Sequence, residues 1–255
     1  MPTHLFDLDG QVAFVTGGSS GLGFMMATAL GKNGARVAIC GRNEQKLQEA
    51  RHSLEKENIQ CFSLVCDISN KQEVEKSVNR IKEEFGKITI LVNNAGRIAE
   101  DDPLLLEERH WQKIIDTNLS GAFYCAQAVG KIMVENGGGK IINIASVAGF
   151  RGMRRPIKTT AYGVSKGGLI LLTKELAVKW ADKGVCVNAI APGIFKTKMT
   201  ARLIETQTKI IEDLIPAKRV GEEQDLEGVI VFLASPAANY VTGQVIAVDG
   251  GQTSW

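Results

Sequence analysis

The chain has 255 residues, 44% hydrophobic and 23% charged, a composition that suits a globular protein with a substantial core and one α/β domain over 1–255. Its formal net charge of +2 provides no field that would recruit nucleic acid or an anionic membrane. The longest apolar runs, such as residues 228–234, fall far short of the ~20 residues needed to span a bilayer.

Short β-branched runs alternate with longer amphipathic stretches along the chain. Val12–Thr16 reads as a strand, 21–33 as a helix, 36–40 as a strand and 44–57 as a helix. The pattern continues with strand 61–66, helix Lys71–Phe85, strand 88–92 and one long helix over 108–136. Strand 140–144, helix 161–183, strand 185–190, helix Glu223–Ala234 and strand Val245–Val248 complete it. The strands are nearly continuous in Val, Ile and Leu, as strands covered on both faces are. Alternation of this kind predicts a doubly wound parallel sheet with ligands at the carboxyl ends of its strands. The first seven residues have neither the basic flank nor the apolar stretch of a signal peptide. Five cysteines (Cys40, Cys61, Cys66, Cys125 and Cys186) lack C-x-x-C spacing, which suits reduced, buried thiols in a cytoplasmic protein.

Between the first strand and first helix stands Thr16-Gly17-Gly18-Ser19-Ser20-Gly21-Leu22-Gly23. Glycines at 17, 21 and 23 permit a tight turn whose N–H groups approach a pyrophosphate, and the helix N-terminus faces the same anion. The second strand ends in Cys40-Gly41-Arg42-Asn43, without the carboxylate that would bind ribose hydroxyls. The Arg42 guanidinium instead suits a 2′-phosphate, so NADP(H) is expected ahead of NAD(H). The alternative is that Arg42 stacks over adenine or faces water, leaving NAD(H) open.

Tyr162-Gly163-Val164-Ser165-Lys166 opens a predicted helix, and residues four apart share a helical face. A neighbouring ammonium is expected to lower the phenol pKa of Tyr162 and to let it exchange protons with a carbonyl or alcohol. Ser146, after the strand at 140–144, is placed to hydrogen-bond the substrate oxygen.

Taken together, these motifs resemble the short-chain dehydrogenase/reductase family of the common single-domain type, across nearly the whole chain. The resemblance rests on Thr16–Gly23, on Asp67 and Ile68 after the third strand, and on Asn93-Asn94-Ala95-Gly96. It also includes Asn118, Ser146, Tyr162 with Lys166, and Pro192-Gly193 followed by Thr197. It implies a Rossmann-like fold with Tyr162 as general acid/base, Ser146 orienting substrate, and Lys166 binding nicotinamide-ribose hydroxyls. Asn118 would hold a water in a proton relay, and Asp67 would contact adenine. Gly17, Ser19, Ser20, Gly21, Leu22, Gly23, Ile68, Asn94, Ala95 and Gly96 would line the cofactor cleft beside Asn93. Pro192, Gly193, the Ile194 backbone and Thr197 would bind the carboxamide. Bland readings stand beside these: Asp67 as a helix cap, Asn93 as a structural asparagine, and Asn118 bridging to backbone.

The stretch between Ser146 and Tyr162 is longer than is common in the family and contains Arg151, Arg154, Arg155 and Lys158. The resemblance places it at the substrate pocket, where Arg97, Lys196, Lys198 and Arg202 would add charge. Such cations suit an anionic ketone, first a 3-oxoacyl thioester on coenzyme A or acyl carrier protein, alternatively a sugar acid of the gluconate type. They could equally form a solvated rim or intersubunit contacts. A nucleotide sensor without chemistry is the rival reading, which would be expected to lack Tyr162, Lys166 or Ser146. His4, His52 and His110 have no metal-ligand spacing, and no catalytic metal is implied. The resemblance further implies a homotetramer built on the helices at 108–136 and 161–183 and on the C-terminal strand.

Overall fold

The structure is a computed structural model, and it describes residues 5–99, 102–153, 158–197, 200–201, 204–205, 211 and 213–254. In chain order its elements begin with β1 (Val12–Thr16), α1 (Gly21–Lys32), β2 (Arg36–Gly41), α2 (Glu44–Lys56), β3 (Cys61–Val65) and α3 (Lys71–Phe85). Next come β4 (Ile90–Asn93), α4 (Glu108–Ile115), a π-helical turn (Asp116–Ser120), α5 (Gly121–Glu135) and β5 (Gly139–Ile144). The last are α6 (Thr160–Trp180), β6 (Val185–Pro192), α7 (Glu223–Ala234) and β7 (Val245–Val248).

All the strand pairs are parallel, in the order β3-β2-β1-β4-β5-β6-β7. The strand order reverses between β1 and β4, where the loops leaving the two strands separate to opposite sides and open a crevice. On one face Val15, Ile39 and Ile142 pack with Met26 and Leu30 of α1, Leu54 of α2 and Ile230 of α7. On the other, Phe14 and Leu91 pack with Ile81 of α3, Met133 of α5 and Leu176 of α6. Both faces are therefore covered, and the unbroken apolar strands follow from that.

The helix expected over 108–136 is interrupted: five residues, Asp116–Ser120, form a π-turn between α4 and α5. The side chain of Asn118, in this turn, is buried and makes three hydrogen bonds, and an inserted residue of this kind re-aims a side chain that regular spacing would misplace. The helix expected over 161–183 ends at Trp180, followed by a 3₁₀ turn, Ala181–Lys183, and by Gly184 at φ 75°. Cys40, Cys61, Cys66 and Cys125 are buried free thiols, and Cys186 is half-buried.

Candidate active site

The turn after β1 is held from outside. Thr16 Oγ1 accepts the N–H groups of Asn94 and Ala95, each at 3.0 Å, and Asn94 Nδ2 donates to the carbonyls of Thr16 and Gly17 at 2.9 and 3.2 Å. Gly17 has φ +65°, and a Cβ on it would stand 2.9 Å from Ala95 Cα. A Cβ on Gly23 would run into the Gly17 carbonyl. Ser20 precedes α1 without a side-chain cap, and the first helical turn carries no acidic residue. The N–H groups and positive dipole end of α1 are thus left for an anion, and the cradle fits the diphosphate of a dinucleotide. Leu22 packs against the core, while Ser19 Oγ lies beside Gly41. Gly21 faces Thr197, whose methyl would be 3.8 Å from a Cβ there. The glycine turn and the loop after β6 therefore meet across the crevice.

Arg42 and Asp67 stand side by side at the ends of β2 and β3, their charged groups 4.0 Å apart and partly exposed. Burial disfavours the Asp67 carboxylate, but hydrogen bonds from Ser69 and the charges of Arg42 and Arg97 outweigh it and hold its pKa low. Asp67 organises the turn leading to α3, whose N-cap is Asn70. Ile68 buries its side chain, against which Gly121 of α5 packs.

The hydroxyl and amine groups converge at the ends of β4 and β5. Ser146 lies just past β5, is buried, and accepts the Ala148 N–H at 3.2 Å. Gly163 and Gly167 of α6 let that helix lie close on the 3₁₀ turn Val147–Gly149, since a Cβ on either would be 3.3–3.4 Å from the Ala148 or Gly149 carbonyl. This packing brings Tyr162 to Ser146. Lys166, one turn along, has its Nζ 5.7 Å from the Tyr162 ring centroid and donates to Ile144 O at 2.7 Å. A Cβ on Gly96 would be 3.6 Å from the same amine.

The lowered phenol pKa expected from the sequence is not found. Burial pushes Tyr162 up, with a hydrogen bond from Ser146 working the other way, and burial likewise brings Lys166 down to about 8. The ammonium is itself destabilised and is turned to the Ile144 carbonyl, so it does not dominate the phenol.

The Asn118 side chain is held within the protein through both its oxygen and its nitrogen. It accepts from the Arg97 N–H at 2.7 Å and donates to Arg97 O and Ser165 Oγ, each at 2.9 Å. Ser165 passes the chain on to Tyr162 O at 2.7 Å. Asn93 is a core residue: it donates to Ala122 O and Asn143 Oδ1, and Asn143 donates to Thr173 Oγ1 on α6. Asn143, Thr173 and Ser165 were not singled out from sequence. The available signal was a polar residue inside an apolar strand, Ile141-Ile142-Asn143-Ile144.

At the end of β6, the Gly193 N–H donates to Val248 O, and Ile194 O accepts from Gly221. That carbonyl is therefore engaged, while Pro192 and Gly193 fix the turn above it. Of the cations expected at the substrate side, Arg151 donates to Gln252 O at 2.7 Å and Lys158 pairs with Asp102 at 2.9 Å. Lys196, His52 and His110 are exposed. Arg154, Arg155, Lys198, Arg202 and His4 lie outside the described residues. Among the described residues no His, Cys, Asp or Glu cluster could hold a metal, and no helix is long and apolar enough to cross a membrane. A surface groove of about 630 Å³ between Phe6 and the end of α1 contains none of the motif residues.

Residues 17–253 match the family model described as enoyl-(acyl carrier protein) reductase. The chain is 39% identical over 252 residues to a gluconate 5-dehydrogenase of Gluconobacter oxydans, covering 98% of this chain and 97% of that one. It is 37% identical to a 3alpha-hydroxysteroid dehydrogenase of Mediterraneibacter gnavus over 249 residues, 97% of this chain and 98% of that one. A crystal structure of a gluconate 5-dehydrogenase from Burkholderia cenocepacia, in complex with NADP and tartrate, superposes with a TM-score of 0.92 at 35% identity, covering 98% of both chains. With its parallel sheet, glycine turn and Ser146, Tyr162 and Lys166 in one crevice, the chain belongs to the short-chain dehydrogenase/reductase family and is an oxidoreductase acting on CH–OH groups.

Proposed function

We propose that the protein interconverts a ketone and a secondary alcohol of a sugar acid, the gluconate type, using NADP(H). The observation that carries the chemistry is the convergence of the Ser146 and Tyr162 hydroxyls above the buried Lys166 amine. Support for the sugar acid comes from the Gluconobacter and Burkholderia relatives, which match end to end. The thioester, expected first from the sequence, has no counterpart among these relatives. Support for NADP(H) comes from Arg42 beside the crevice and from the NADP in the Burkholderia structure.

A bound nicotinamide dinucleotide would supply or take up the hydride. Its diphosphate would lie on the N–H groups of Gly17–Gly23, its 2′-phosphate by Arg42, and its adenine by Asp67 and Ile68. Asn94, Ala95 and Gly96 would form the floor of the cleft, and Pro192, Gly193, Ile194 and Thr197 its wall. Tyr162, kept protonated by burial, gives its proton to the ketone oxygen and recovers it from the alcohol in the reverse direction. Ser146 holds the same oxygen by a hydrogen bond. Lys166 binds the ribose hydroxyls, and Asn118 acts as a positioning residue by clamping Arg97 and Ser165. A homotetramer in the cytoplasm is the setting we assign.

The test is consumption of NADPH with 5-keto-D-gluconate and with an acetoacetyl thioester. Turnover of the keto acid that exceeds the thioester is expected, and the reverse order would reject the sugar-acid reading. Tyr162→Phe is expected to lower kcat/KM by about 10²–10⁴-fold while NADPH still binds, as read by its fluorescence.

A further inference from the structure

Two loops that leave the carboxyl edge of the sheet are tied together just ahead of the start of α6. One follows Gly96, whose Cβ position lies by the Lys166 amine, and six residues on it carries Asp102. The other leads from Ser146 to α6, and four residues before Tyr162 it carries Lys158. Lys158 Nζ donates to Asp102 Oδ2 at 2.9 Å. The other carboxylate oxygen, Oδ1, accepts the Leu104 N–H at 3.1 Å, which folds Asp102 back on its own turn. The second loop is anchored at its far end too, by Arg151 on Gln252 O. The ammonium of Lys158 is thereby held between the two loops by a carboxylate from the protein.

The side chains of Lys158 and Asp102 are 56% and 32% exposed, so water screens the pair and it is only weakly held. A weakly held pair of this kind is open to exchange. Another carboxylate arriving from solvent meets the same ammonium and, by taking the place of Asp102, satisfies it equally well.

We propose that Lys158 is the anchor for the substrate carboxylate and that Asp102 is its resting partner, displaced when substrate enters. This rests on the sugar-acid reading above and names a residue that would set its specificity. No atom is transferred in the exchange: one carboxylate replaces another on the same ammonium.

The experiment compares kcat/KM for 5-keto-D-gluconate with that for 5-keto-D-fructose, a neutral ketone of equal length, in the full-length enzyme with saturating NADPH. Lys158→Met is expected to lower the anionic-to-neutral ratio at least tenfold, chiefly through KM of the keto acid. Asp102→Asn, which removes the competing carboxylate, is expected to lower KM for the keto acid while leaving that for the neutral sugar within twofold. A ratio unchanged in Lys158→Met, or a keto-acid KM raised by Asp102→Asn, would overturn the proposal and leave the pair as a loop tie. Circular dichroism and NADPH binding identify a variant that has lost its fold, in which case Lys158→Gln replaces Lys158→Met. A wild-type enzyme that reduces the neutral ketone and not the keto acid rejects the sugar-acid reading itself, a result separate from any change in the variants.

Discussion

Burial governs the protonation of both titrating groups in the site, and it acts in opposite directions on the two. Tyr162 is raised above the ordinary phenol value, so at neutral pH it is a proton donor. Reduction is therefore expected to hold a constant kcat/KM through neutrality and to fall only at strongly alkaline pH, whereas oxidation, which needs the phenolate, is expected to rise with pH. Initial rates in both directions across pH 6 to about 10.5 check this, and an oxidation rate that declines over that range would refute it. Lys166 is brought by burial from 10.5 to about 8. Between those values the unfolded chain binds more protons than the fold, so stability rises with pH, and below about 8 the full cost of the buried ammonium is present. Lys166→Met removes that cost along with the hydrogen bond to Ile144. The variant is expected to be more stable than wild type by about 1–3 kcal/mol at pH 7 and by less at pH 9.5. Urea unfolding at the two pH values measures it, and a variant less stable at pH 7 would show that the Ile144 bond outweighs desolvation.

Elements rather than single residues decide how precisely Tyr162 and Lys166 are placed. α6 is pinned to the sheet by a buried polar chain, in which Asn93 on β4 donates to Asn143 on β5 and Asn143 donates to Thr173 on α6. Removing the middle member leaves one N–H of Asn93 and the acceptor lone pair of Thr173 Oγ1 unpaired in the core, each group keeping its other bond, so Asn143→Ala is expected to cost about 2–4 kcal/mol. Thermal or urea unfolding reads the cost, and an effect below about 0.5 kcal/mol would mean that the chain does not hold the helix. The sheet and the glycine turn were legible in the sequence because two-sided burial writes itself as unbroken Val, Ile and Ala, and because Gly17 and Gly23 have no steric substitute. The π-turn was not legible. Over 108–136 the apolar spacing continues smoothly, and the break falls where Asn118 bonds a peptide 21 residues away. The direction of the Tyr162 shift and the partners of Asn118 were not legible for a related reason: hydrogen-bond partners and desolvation arise from tertiary packing, which spacing along one helix does not encode. The partners of Arg151 and Lys158 were hidden in the same way, being 101 and 56 residues distant.

At the scale of the molecule, the outer face of α6 carries an apolar line beside the exposed charges Lys174, Glu175 and Lys179. Ala161, Ser165, Leu169, Thr173 and Leu176 face the protein and are buried, whereas Val164, Leu171 and Val178, spaced seven apart, are 51%, 60% and 82% exposed. The stripe runs about 21 Å along the helix, and Phe123 and Val134 of the neighbouring α5 are exposed as well. Apolar side chains repeated along one helical line at this spacing suit packing against another helix, and in a symmetric assembly the same stripe can serve both partners. This supports the homotetramer proposed above, with α6 proposed for one of its interfaces. Placing a charge at the centre of the stripe forces its burial without a partner, so Leu171→Glu is expected to shift the assembly to smaller species. Light scattering coupled to size exclusion measures the mass. A mass equal to wild type would remove α6 from the interface. A smaller species that still binds NADPH would show that the crevice belongs to one chain, whereas a smaller species that has lost NADPH would tie the packing of α6, and with it Tyr162 and Lys166, to the assembly.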